Sequence, residues 1–131
     1  MTVHVRLRVG PEEYALPVGN VVEVVELGEL TTVPGAPPSV LGIRNLRGQI
    51  LPVFDLAALF GIDGSTPERV VVAEDRGRRL GLAVDAVTDV AILAEPAEQT
   101  ESDFLRGAAL VDGALVGIVH VPRLVDELER A

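Results

Sequence analysis

Chemistry in this 131-residue chain would have to come from two histidines, three serines and a handful of aspartates, because there is no cysteine. That absence excludes disulfides, thiolate metal sites and thiol nucleophiles. His4 and His120 lie far apart in stretches that read as strands, without metal-ligand spacing, so a structural or surface role is the plainer reading. Ser39, Ser65 and Ser102 sit in no nucleophile-elbow context. Asp55, Asp85 and Asp112 each close an apolar run, where carboxylates could converge for acid and base work or bind a cation. The alternative is that they cap turns and helices, and Asp55 before Leu56 is well placed for that. Gly42 and Gly48 lack the lysine and the spacing of a phosphate cradle, so no nucleotide site is expected.

The most unusual stretch runs from Val40 to Leu56, where Asn45, Arg47 and Gly48 interrupt apolar strand material. Arginine offers a rigid fork for a partner carboxylate or for bridging loops, and glycine permits a sharp turn beside it. A tight turn with a solvated arginine is the competing reading.

These residues must be positioned by strands. Val3, Val5, Leu7 and Val9 alternate with polar residues, the period of a strand with one face on a core. Gly10 and Pro11 end it, and Glu13 to Pro17 reads as its hairpin partner. Val18 to Leu27 fits either a strand or a helical turn. Val33 to Ser39, rich in proline, reads as a surface connection. Leu56 to Phe60, followed by Gly61, suits a short helix with a glycine stop. Arg69 to Glu74, Leu80 to Val84 and Ala86 to Leu93 read as strands, and Ala94 to Asp103 as an exposed acidic loop. Asp112-Gly113 between two apolar runs is the strongest hairpin signal, because a type I′ turn favours that pair. Pro122 opens a closing helix with Leu124, Val125 and Leu128 on one face. No internal sequence repeat is evident. The expected fold is all-β, a barrel or pair of barrels with short helices, in one domain spanning 1–131.

Twenty acidic residues against eleven arginines give a net charge of -9, which argues against a nucleic-acid surface. No apolar stretch approaches the ~20 residues of a membrane helix, and the N-terminus alternates unlike a signal peptide, so a soluble intracellular protein is expected. With four aromatic residues (Tyr14, Phe54, Phe60 and Phe104), the core must be filled by valine and leucine, which favours strands.

The stretch Val40 to Leu56 resembles the signature of CheW-like domains: apolar-Gly-apolar-x-Asn-Leu-Arg-Gly leading into a strand that ends Pro-apolar-apolar-Asp-Leu. Glu13 to Val25 is similar to the family's second strand and the segment after it, Leu80 to Val90 to its Gly-apolar-x-Val-Asp-x-Val element, and Phe104 to Gly107 to its Leu-x-Gly step. The resemblance spans about Val3 to Leu128. It implies two intertwined five-stranded SH3-like β-barrels sharing an apolar seam, and a cytoplasmic, non-enzymatic adaptor without cofactor or metal. One surface would bind the regulatory domain of a CheA-type histidine kinase, another a chemoreceptor's cytoplasmic tip, with no nucleic acid and no membrane insertion. A non-flagellar chemosensory pathway is a variant of that reading, and a small-ligand barrel built on the seam, with Arg44 and Arg47 as its polar groups, a rival. By position, Arg47 would lie near the receptor-binding groove with Val21, Glu23 and Val24 on the same surface. Gly42, Asn45, Leu46 and Gly48 would shape the turn and border a partner contact; for Val21 and Val24 barrel closure is the competing role. Met1 and the closing helix favour a free-standing protein over an excised domain.

Overall fold

The computed structural model describes residues 1–94 and 104–129. Ten strands and two helices follow one another: β1 (Thr2–Val9), β2 (Glu12–Pro17), β3 (Val21–Glu26), β4 (Val40–Leu46), β5 (Gln49–Asp55), α1 (Leu56–Phe60), β6 (Arg69–Asp75), β7 (Arg78–Val84), β8 (Ala86–Leu93), β9 (Leu105–Val111), β10 (Ala114–Val119) and α2 (Val121–Glu129). The ambiguous segment resolves into a 3-10 turn over Val18–Asn20 followed by strand β3. All but Ala94 of the expected acidic loop lies outside the described residues.

The strands form two five-stranded sheets, ordered β8-β1-β2-β10-β9 and β3-β6-β7-β5-β4. The first is made from both ends of the chain and the second from its middle, so the two are intertwined as expected. The ladders curl without closing: β8 and β9 are the free edges of the first sheet, β3 and β4 of the second.

The two sheets are the same sheet, permuted. In each, two antiparallel hairpins meet through a parallel pair, β2 with β10 and β5 with β7. The registers coincide: Val53 faces Gly81 as Ile118 faces Ala15, and Val70 faces Ala83 as His4 faces Pro17. The ladder shifts register beyond Val21 in β3 and beyond Val87 in β8. Gly42 and Gly107 have φ of 153° and 151°, and the turns Arg47-Gly48 and Asp112-Gly113 have φ of 50° and 84°, and 50° and 80°. Asp55 caps α1 by accepting from the Ala57 N–H, and His120 caps α2 by accepting from the Arg123 N–H. His120 is therefore a helix cap and not the strand residue its sequence context suggested. The repeat absent from the sequence reading exists in the topology.

The sheets meet on an apolar seam. Leu7, Leu16, Leu56, Val71, Leu82 and Leu124 are fully buried there. Tyr14 stacks on Phe60 with centroids 4.7 Å apart, and Phe60 meets Phe104 edge-on at 6.2 Å, a geometry aromatic rings favour. Helix α2 leaves the first sheet and packs on the second, its Leu124 and Val125 in the seam. Arg78 fastens it there, reaching Asp126 at 2.7 Å and Glu129 at 3.2 Å while holding Asp75 at 2.9 Å.

Candidate partner-binding surface on the second sheet

Strands β4 and β5 place the unusual stretch at one edge of the second sheet. Because residues 47 and 48 both take positive φ, the hairpin turns in two residues, and the Gly48 N–H donates to the Asn45 side chain at 2.8 Å. This lifts Arg47 into solvent, its side chain 67% exposed, where it pairs with Glu23 of β3. The hairpin's strong turn signal thus serves to hold one arginine at a sheet edge.

The sheet's two edge strands are drawn together by side chains where backbone ladders stop. The Arg44 guanidinium donates to the carbonyls of Glu26 and Leu27, the second at 3.0 Å. Thr31 and Ile43 exchange both backbone hydrogen bonds at 2.9 Å. Gly42 makes room for this bridge, since a Cβ there would stand 2.5 Å from the Thr31 carbonyl oxygen. Arg44, absent from the expected site, thereby fixes the distance between Glu23 and Arg47.

The structure brings Arg47, Glu23, Asn45 and Gly48 together at one edge. It separates Val21 and Val24 from Glu23 by side of the strand. Val21 pairs with Ala73 and Val24 with Val71, whose side chains lie in the seam, whereas Glu23 pairs with Val72 of the sheet's interior. Val21 packs against the seam core; Val24 lies beyond its cover and is exposed, as is Val22. Leu46 packs on the interior cluster and Gly42 is buried, so both support the edge from beneath.

The strand-end aspartates do not converge. Asp55 caps α1, and Asp112 forms the β9–β10 turn. Asp85 is buried where the chain passes between sheets, accepting from the Ser65 hydroxyl at 2.5 Å and the Thr66 N–H at 3.0 Å, with Arg8 at 3.5 Å. Burial pushes its carboxyl up, but the bonds from Ser65, Thr66 and Gly10 and the charge of Arg8 outweigh this and hold it below the usual carboxylate range. Among the described residues no three histidine, aspartate or glutamate side chains gather as a metal site, and no helix is long and apolar enough to cross a membrane. The seam's centre is packed with fully buried Leu7, Leu16, Leu82 and Leu124, and a cavity of about 260 Å³ opens beside its Phe54, Leu80 and Leu128.

Exposed aliphatic side chains mark a second region, which sequence reasoning missed. Val3, Val90 and Ile92 lie on paired strands β1 and β8, and Leu110 faces Leu115 across β9 and β10; Ile92, Leu110 and Leu115 are each at least 64% exposed. The sequence signal was available as alternation in β8 with no polar residue after Asp89.

A family model described as CheW-like domain matches residues 4–129. The chain is 31% identical over 136 residues to the probable chemotaxis protein CheW of Rhizobium etli, covering 95% of this chain and 88% of that one. It is also 31% identical to the chemotaxis protein CheW of Rhizobium meliloti, covering 96% and 88%. The crystal structure of the scaffolding protein TtCheW from Thermoanaerobacter tengcongensis superposes with a TM-score of 0.80 at 33% identity, covering 90% of this chain and 88% of that one.

Proposed function

The chain belongs to the CheW-like family of chemotaxis scaffolds and adaptors, and from that premise we propose that it couples a chemoreceptor to a CheA-type histidine kinase through two protein surfaces. The observation that carries this reading is that each sheet presents its own face to solvent. On the second sheet β3 carries Glu23, paired with Arg47, on one side and exposed Val24 on the other; on the first, Val90 occupies the place of Val24 amid Val3 and Ile92. Exposed aliphatics grouped this way mark docking surfaces more often than isolated surface residues do. Two such faces on one rigid seam suit an adaptor that holds two proteins at once.

In this reading the Arg47 face receives the cytoplasmic tip of the receptor, its guanidinium exchanging Glu23 for a partner carboxylate. The aliphatic face of the first sheet receives the regulatory domain of the kinase. Neither needs a catalytic group or cofactor, and the protein works in the cytoplasm, where a receptor tip projects. Calorimetric titration of the chain with the regulatory domain of a CheA-type kinase from the same genome tests it. Saturable one-to-one binding that Ile92→Glu weakens and Arg47→Ala leaves intact supports the assignment; no binding to any such kinase domain overturns it.

A further inference from the structure

The permuted repeat allows each position of one sheet to be compared with its counterpart in the other. Inside the second sheet, Leu27, Leu41, Val53, Val70 and Ala83 belong to one apolar cluster. Their counterparts in the first sheet are Leu93, Arg106, Ile118, His4 and Pro17, by the shared registers of the ladders. Two aliphatic fillers have become a histidine and an arginine. Val72, also in that cluster, is matched by Arg6, whose buried Nε has no hydrogen-bond partner although its guanidinium meets Glu13 at 2.9 Å.

Where the second sheet buries Val53, Val70 and Ala83 in one cluster, the first has a cavity of about 200 Å³. Buried His4, Leu93 and Ile118 line it together with half-buried Asn20 and with Ala94 and Arg106, which are exposed and place the guanidinium at its mouth. His4 is 6% exposed, and its Nδ1 lies 2.8 Å from the Thr2 carbonyl. That contact assigns the ring proton to Nδ1 and leaves Nε2 as an acceptor. Among the described residues Arg106 has no ion pair or hydrogen bond, unlike Arg6, Arg47, Arg76, Arg78 and Arg79, and none of those that line the cavity is acidic.

We infer that this cavity is a binding site for a small organic carboxylate bearing a hydrogen-bond donor, of the hydroxy-acid class. The arginine takes the carboxylate, as its planar fork suits, and the ligand's hydroxyl donates to His4 Nε2. The volume is that of roughly six waters, the scale of a small organic acid. Pro17 precedes and Asn20 ends the 3-10 turn that leads straight into β3, and the Asn20 amide donates to the Glu74 carbonyl of the other sheet. Occupancy therefore reaches the strand that carries Glu23 and Val24, although the site itself does not depend on what that strand binds.

The test is a titration of the isolated chain with L-lactate, reading the imidazole nitrogens by NMR, with His120→Asn separating the two rings and sodium chloride at matched ionic strength as control. The expected result is a saturable shift of His4 Nε2, at least tenfold weaker in Arg106→Gln and weaker with acetate, which lacks the hydroxyl. The variant His4→Val with Arg106→Leu, which installs the second sheet's residues, should abolish saturable shifts of β3 amides while melting no lower than the parent chain. A linear or absent His4 response, a response equal to that in chloride, or one that Arg106→Gln leaves unchanged overturns the proposal.

Discussion

Replacing Gly42 with alanine should unfasten the edge that carries Arg47. The added Cβ would lie 2.5 Å from the Thr31 carbonyl oxygen, closer than any unstrained contact, and the obstacle is backbone with no rotamer to escape into. The Thr31–Ile43 bridge must open, forfeiting two hydrogen bonds of 2.9 Å, at about 1 kcal/mol each. A φ of 153° adds strain on the order of 1–3 kcal/mol for a residue with a side chain. The sum is roughly 3–5 kcal/mol, which at this chain length lowers Tm by about 11–18 °C. Thermal unfolding followed by circular dichroism measures the shift, and hydrogen exchange at the Thr31 and Ile43 amides locates it. Gly48→Ala is the internal comparison: its φ is 84° but nothing lies within 4 Å of a new Cβ, so it should lose only about 1–2 kcal/mol. If Gly42→Ala melts within 2–3 °C of the parent, or melts lower without faster exchange at those two amides, the account of the bridge is wrong.

Arg47→Ala should melt within a few degrees of the parent, since an exposed ion pair contributes about 0–1 kcal/mol, yet reduce receptor-coupled kinase activity several-fold in a reconstituted assay; unchanged coupling would remove Arg47 from the site. Acid should destabilise the chain through Asp85 and Asp75, whose folded carboxyls both lie below the usual range; at Asp75 burial pushes upward and is outweighed by bonds from Arg78 and Arg76. A depressed folded value means the stabilisation is complete above the unfolded pKa near 3.9 and is lost as pH falls through the folded value, so denaturant midpoints should drop below about pH 4 and Asp85→Asn should flatten that drop. Arg44→Met should raise hydrogen exchange in β3 and β4 while leaving the first sheet's amides unchanged, and equal acceleration in both sheets would refute its local role.

Turn chemistry was the most legible part of the sequence. Asp112-Gly113 announces its hairpin because few other pairs tolerate positive φ twice, and Asp55 and Gly61 bracket α1 as cap and stop. What the sequence hid follows from the same physics. The alternation of β1 shows one apolar face and invites the assumption that the other is wet, but His4 points into the curled first sheet and is buried there. Val21 and Glu23 were read as one surface because the register shift between them, in a valine run, leaves no mark in composition. The repeat escaped notice because it is permuted: β6 and β7 correspond to β1 and β2 at the opposite end, so no fixed period runs along the chain, and divergence has put Asp112 where Arg47 stands and His4 where Val70 stands. Arg44 as a clasp was invisible because its partners are main-chain carbonyls, which every sequence has.

The permuted layout also imposes an order on synthesis. Residues 21–84 form the whole second sheet without help from either end, so it can pair while the rest is still being made on the ribosome. The hairpin of β1 and β2 emerges first but has no partners until β8 and β10 follow, the longest wait of any element in the chain. During that interval its seam side chains, Val5, Leu7, Tyr14 and Leu16, have only the newly formed second sheet to rest against. The seam that joins the finished sheets is therefore also the nursery for the hairpin, and substitutions there should lower the yield of nascent protein by more than their effect on the finished fold.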